Sequence, residues 1–166
     1  MPSRNIDRWL VLAGIIVTFD QVSKWLILAW LQPGDVIYVA PFFNWVLTFN
    51  PGAAFSFLSD AGGWQRWFFT ALALGISAWI VSVLPHHSGE FRLSLALTLI
   101  LGGALGNVID RLLHGHVIDF LQLRFDVLAP IFRGGYFPAF NLADSAITLG
   151  AVCLILDEIL RVRRAR

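Results

Sequence analysis

Hydrophobic and polar positions divide the chain into four long apolar stretches, at about residues 9–30, 67–84, 93–113 and 140–160. Each is close to the roughly 20 mostly apolar residues that a helix needs to cross a hydrocarbon core. The pattern therefore predicts four membrane-spanning helices. Between the first two, "VIYVAPFFNWVLTFN" (residues 36–50) is rich in β-branched and aromatic residues. Between the last two, "VIDFLQLRF" (residues 117–125) alternates around Gln122 and Arg124. Both read as short strands, and Asn50, Pro51 and Gly52 supply turn chemistry after the first. The expected fold is an all-α membrane bundle of four transmembrane helices, with a small β-sheet region on its outer side and aromatics at headgroup level. No internal repeat, low-complexity tract or soluble linker interrupts the pattern, so a single polytopic domain over residues 1–166 is expected.

Composition agrees. Of 166 residues, 57% are hydrophobic and 14% charged, against about a quarter charged in a soluble domain. A net charge of +1, with no basic stripe or nucleic-acid motif, points away from a nucleic-acid partner. Cys153 is the one cysteine, which excludes an internal disulfide and a cysteine-based zinc site. The first apolar stretch is too long for a signal-peptide core and carries Asp20 and Lys24, so it is expected to remain in the mature protein.

Basic residues set the expected orientation. Arg4 and Arg8 precede the first span, and Arg161, Arg163, Arg164 and Arg166 end the last. Residues 31–65 hold Asp35 and Asp60 but no Lys or Arg. By the positive-inside rule both termini face the cytoplasm, and the connections 31–65 and 114–139 face outward. Arg124 and Arg133 weaken that bias without reversing it.

An Asp or Lys at the centre of a spanning helix costs about 2.5–3.5 kcal/mol, so each needs a reason. Asp20 and Lys24 are four apart and can pair along one helix face. Asn107, Asp110 and Arg111 share a face near the outer end of the third span. Asp144 lies at the outer start of the fourth, and Asn50 and Asp119 belong to the outer connections. Separate pieces of sequence thus deliver polar groups to one layer.

Each piece also has a purely structural reading. Asn141 as an N-cap with Asp144 at N3 is a capping arrangement that the helix dipole favours. Asp20–Lys24 and Asp110–Arg111 fit orienting pairs better than catalysts, because an arginine does not titrate and paired charges are held in place. His114, His116 and Asp119 spell H-x-H-x-x-D, a candidate metal motif, but no further ligand set is evident. Ser56 and Ser145 lack a nucleophile-elbow setting and a histidine base.

"FDQVSK", "FNPGAAFSF", "GGALGNVIDR", "GHVIDF" and "FPAFNLADSAI" resemble, in order and spacing, the motif boxes of the bacterial lipoprotein signal peptidases (signal peptidase II). The resemblance covers nearly the whole chain. It implies a metal-independent aspartic endopeptidase of the bacterial inner membrane, with no cofactor and with its active site at the outer face. Such an enzyme removes the signal peptide of a prolipoprotein by cutting before a cysteine that carries diacylglycerol. By matching boxes, Asp119 and Asp144 would be catalytic. Asn50, Gly52, Asn107, Arg111 and Asn141 would support the site or the substrate, and Asp20, Lys24 and Asp110 would hold the scaffold. The implied partners are diacylated prolipoproteins, membrane lipid and globomycin-type inhibitors, and the chain is expected to act as a monomer.

The chemistry is coherent without the family. Peptide hydrolysis by water needs one group to take a proton and another to polarise the carbonyl and protonate the leaving nitrogen. Two neighbouring carboxylates sharing one proton do both. Asp144, at a helix start, is expected to favour its charged form, and Asp119, among Val117, Ile118 and Phe120, its neutral form. The rival classes are a small proton-coupled transporter and an assembly subunit. A transporter is expected to show broken spans, a repeat and polar groups through the membrane depth. An assembly subunit leaves the two outer acids unexplained.

Overall fold

The computed structural model describes residues 6–52 and 62–164. Arg4, Ser56, Asp60, Arg166 and most of "FNPGAAFSF", which entered the sequence reading, lie outside the described residues. In chain order the elements are helix α1 (Asp7–Trp30), strands β1 (Val36–Ala40) and β2 (Phe43–Asn50), helices α2 (Trp64–His87) and α3 (Phe91–Leu113), strand β3 (Val117–Leu123) and helix α4 (Leu142–Arg164). Helices α1, α2 and α3 are long and apolar enough to cross a membrane. Helix α4 has similar length but carries Asp144 in its first turn and Asp157, Glu158 and Arg161 near its end. The result is a mostly helical membrane protein with a small antiparallel sheet.

The described residues form two compact units. One comprises the chain up to Asp20, Ala71–Val108 and the chain from Leu142 onward. Its core packs Trp9, Ala13, Ile80, Leu84, Leu97 and Leu101. The Trp9 indole N–H donates to Ser88 O at 3.2 Å, which satisfies the polar edge of a buried ring. Backbones approach closely where glycine permits. A Cβ on Gly103 would collide with Ala143 O, and one on Gly150 would stand 2.7 Å from Ala96 O. Lipid-embedded helices associate through such small residues, since lipid tails are as apolar as leucine and burial alone gives no drive. Outward positions such as Val11, Ile15, Phe19 and Trp79 are apolar and exposed, as a lipid-facing surface requires.

The other unit comprises Gln21–Thr70 and Ile109–Asn141. It holds the three-stranded sheet, in the order β1-β2-β3. Val36 pairs with Val46 across the first ladder; Thr48 pairs with Asp119 and Asn50 with Val117 across the second. Ile27, Leu31, Leu47, Ile118 and Phe120 make the core beneath it, and Trp45 stacks on Phe120 at 6.0 Å. The alternation expected of β3 does not appear in its burial, since Leu121, Gln122 and Leu123 are all half-buried. Val117, Ile118, Asp119 and Phe120 are all buried, so both faces of the first half are covered. The free edge of β3 is also partly used: Leu121 N–H donates to Phe140 O at 2.8 Å, and Phe140 N–H returns to Leu121 O at 2.9 Å. That pairing delivers the chain to Asn141, immediately before α4.

Candidate active site

In the sheet unit, Asp119 is almost fully buried, at 2% exposure. Strand β3 supplies it from the middle of its covered half. Its Oδ1 accepts from Asn141 Nδ2 at 2.8 Å and its Oδ2 from Asn50 Nδ2 at 3.1 Å. Both oxygens of this buried carboxylate therefore accept from amide donors, which meets the demand of a buried polar group for hydrogen-bond partners. Asn50 is itself fixed, because its side-chain oxygen accepts from Gly52 N–H at 3.0 Å in a local turn. Asn141 also donates to Ile118 O at 3.2 Å. It is thus more than the helix cap that its position before α4 suggests.

Asp110 and Arg111, at the end of α3, support this arrangement from beneath. Asp110 Oδ2 forms an ion pair with Lys24 Nζ at 2.8 Å and accepts Ile118 N–H at 3.1 Å. Its Oδ1 accepts from Gln21 Nε2 at 2.8 Å. One carboxylate therefore links α1, α3 and the residue before Asp119. Lys24 and Asp110 are both at most 2% exposed. Such a pair is a positioning device whose loss leaves an uncompensated buried charge. Arg111 Nη2 donates to Gly52 O at 3.0 Å, and its guanidinium lies 5.6 Å from the centre of the Phe69 ring.

In the helical unit, half-buried Asp144 occupies the first turn of α4. Its Oδ1 accepts from Asn107 Nδ2 on α3 at 2.8 Å. The preceding residue is anchored separately: Ala143 N–H donates to Asp20 Oδ1 at 2.9 Å. Gly106, beside Asn107, makes room for this contact, since a Cβ there would stand 2.6 Å from Asp20 Oδ2.

The histidines fall elsewhere. His116 packs on the Phe49 ring at 4.2 Å, with His114 6.1 Å away. Burial, and then the neighbouring His114, hold His116 below its ordinary titration range. Among the described residues, no three His, Cys, Asp or Glu side chains converge as a metal ion would require.

Comparison with known proteins sharpens this geometry. Residues 12–160 match the family model for signal peptidase (SPase) II. The chain belongs to the signal peptidase II family. It is 55% identical over 164 residues to the lipoprotein signal peptidase of Burkholderia multivorans, covering 99% of this chain and 95% of that one. It is 53% identical over 160 residues to the lipoprotein signal peptidase of Ralstonia nicotianae, covering 96% of this chain and 88% of that one. Two solved bacterial membrane enzymes share the fold. One has a TM-score of 0.83 at 30% identity, covering 98% of this chain and 93% of that one. The other has 0.75 at 32%, covering 92% and 93%. This signal peptidase II relative is accordingly an aspartic peptidase and a multi-pass inner-membrane protein.

Every polar residue placed above, from Asp20 to Asp144, falls within the matched segment. Sequence reasoning missed Gln21 and Gly106, although both lie inside quoted motifs. Gly106 was legible as a glycine beside a polar helix residue. Gln21 carried no signal, because only the fold shows that it faces Asp110.

Proposed function

We propose that Asp119 and Asp144 are the catalytic pair of this peptidase, which removes the signal peptide from prolipoproteins by cutting before a diacylglyceryl-modified cysteine. The observation that carries the reading is that each of these carboxylates is held by asparagine amides from other elements. Asn50 and Asn141 bind Asp119, and Asn107 binds Asp144. Amide donors hold and orient a carboxylate that has to take up and release a proton.

In the proposed mechanism the pair shares one proton. The ionised member takes a proton from water as water attacks the scissile carbonyl. The protonated member donates to the carbonyl oxygen, and the proton then passes to the leaving nitrogen. The apolar sequence neighbours of Asp119 argue for its neutral form, whereas two amide donors suit its carboxylate. The proton is therefore assigned to the pair and not to one oxygen. Arg111, through Gly52, fixes the turn that carries Asn50, and Asp20, Lys24 and Asp110 act as scaffold.

The membrane setting completes the proposal. A single four-span domain with both termini cytoplasmic places the sheet and the aspartates at the outer face. Water and the signal peptide meet there while the acyl chains remain in the bilayer. Those chains contribute about 0.8 kcal/mol per buried CH₂, which makes lipid part of substrate recognition. The enzyme acts as a monomer, and a globomycin-type lipopeptide occupies the same site.

The test is purified enzyme offered matched precursors with and without diacylglycerol, read as a gel mobility shift. The diacylated form is expected to be cut far faster. Equal rates would remove lipid recognition, and no cleavage of either would remove the function. Reporter fusions at Gly34 and at the C-terminus check the orientation, with the first expected to be active outside and the second inside.

A further inference from the structure

We propose that the turn at residues 125–131 is a membrane-contact element, dipping its apolar tip into the headgroup–acyl boundary of a phospholipid bilayer. In "RFDVLAPIFRGG" (residues 124–135), Val127 is 82% exposed and Ile131 75%, with Phe125 at 43%. Val127 and Ile131 are the two most exposed large apolar side chains among the described residues, and all three lie on one short segment. The exposure is not that of an unformed loop. Leu128 N–H donates to Phe125 O at 2.9 Å, Ala129 N–H to Asp126 O at 3.0 Å, and Ile131 N–H to Leu128 O at 2.9 Å. The base is closed by Phe125 N–H to Gly135 O at 3.0 Å. Gly135, at φ +75°, lies where a Cβ would collide with Phe125 O.

Two features name the occupant. Backbone N–H groups near hydrocarbon need internal partners, and this turn supplies them for Leu128, Ala129 and Ile131 through single-turn hydrogen bonds. Phe132 faces inward onto Phe137, with ring centres 5.6 Å apart, so the outward setting of its neighbour Ile131 is a choice of the fold. Exposed Arg133 follows the apolar tip, with its cation placed for lipid phosphate while the tip enters the acyl boundary. The segment follows the apolar helix α3, whose last residues, Leu112 and Leu113, are 49% and 71% exposed. The chain therefore leaves a membrane-crossing helix shortly before it forms this turn.

The experiment places single nitroxide-labelled cysteines at Val127, Ile131 and, as an aqueous control, Asp126, in a Cys153→Ser protein held in phospholipid nanodiscs. Labels at Val127 and Ile131 are expected to collide with oxygen more than with a water-soluble nickel chelate, by a ratio several-fold above that at Asp126. In an Arg133→Gln background the ratio at Ile131 is expected to fall. Water-like ratios at Val127 and Ile131 would overturn the proposal, as would dipolar broadening between labels on separate copies, which would assign the face to self-association. An unchanged ratio with Arg133→Gln would overturn the phosphate contact. If a label unfolds the chain, hydroxyl-radical footprinting of unlabelled protein gives the same reading, with Phe125 and Ile131 protected in nanodiscs and oxidised if they face water.

Discussion

Asp20 Oδ1 on α1 accepts the backbone N–H of Ala143 on α4 at 2.9 Å, a contact between residues 123 positions apart. A helix start has unsatisfied N–H donors, usually met by a local cap. Here one of them is met by a buried carboxylate from another helix, and the next residue is Asp144. Asp20→Ala is expected to leave that buried donor unmet, at a cost of about 1–3 kcal/mol, and to lower cleavage by misplacing Asp144. Asp20→Asn keeps an acceptor oxygen and should retain more of both. Gly106→Ala should mimic Asp20→Ala from the opposite side, because its methyl group enters the space of Asp20 Oδ2. Thermal unfolding and cleavage rates check all three; wild-type behaviour of Asp20→Ala would remove the positioning role.

Asp119→Asn and Asp144→Asn should each abolish cleavage, because an amide neither accepts the proton of water nor passes one on. Both should still insert and fold, since asparagine keeps the shape and can still accept a hydrogen bond. Appreciable turnover by either folded variant would overturn the two-aspartate mechanism. Asn141→Ala and Asn107→Ala should reduce cleavage without abolishing it.

Lys24 and Asp110 form a buried pair whose members differ in what their loss leaves behind. Lys24→Met strands the Asp110 carboxylate and should destabilise the protein by about 3–5 kcal/mol. Adding Asp110→Asn to Lys24→Met should recover part of that loss, because the charge is gone while an oxygen remains for the Ile118 N–H. Denaturation midpoints in detergent measure both, and no recovery in the double variant would show that the carboxylate itself is required.

His116 gives a pH signature outside the membrane-spanning helices. Its folded titration lies below the ordinary value of 6.5, through burial first and His114 second, with Arg66 lowering it further and Asp110 opposing. A group with a depressed folded pKa has its full stabilising effect above the unfolded value and loses it as pH falls through that range. Stability should therefore decline on acidification from near neutrality, and His116→Gln should flatten the decline. An unchanged pH profile in that variant would assign the decline to other groups.

The sequence by itself determined the apolar helices, the strand-forming character of the two connections, and the polar residues that reappear around Asp119 and Asp144. Those features are local: hydrophobic runs, β-branched clusters and costly intramembrane charges are legible because each reflects burial or solvation of a short segment. Partner choice was decided by the tertiary structure. Spacing shows Lys24 only the neighbour on its own helix face, Asp20, whereas the fold also gives it Asp110 at 2.8 Å, because α3 brings that carboxylate alongside. The sequence shows Asp119 only its apolar neighbours, whereas the fold brings Asn50 and Asn141 to both of its oxygens from other elements. A buried polar group is stabilised by whichever donor the fold places within about 3 Å, and that proximity is a property of packing, not of sequence distance.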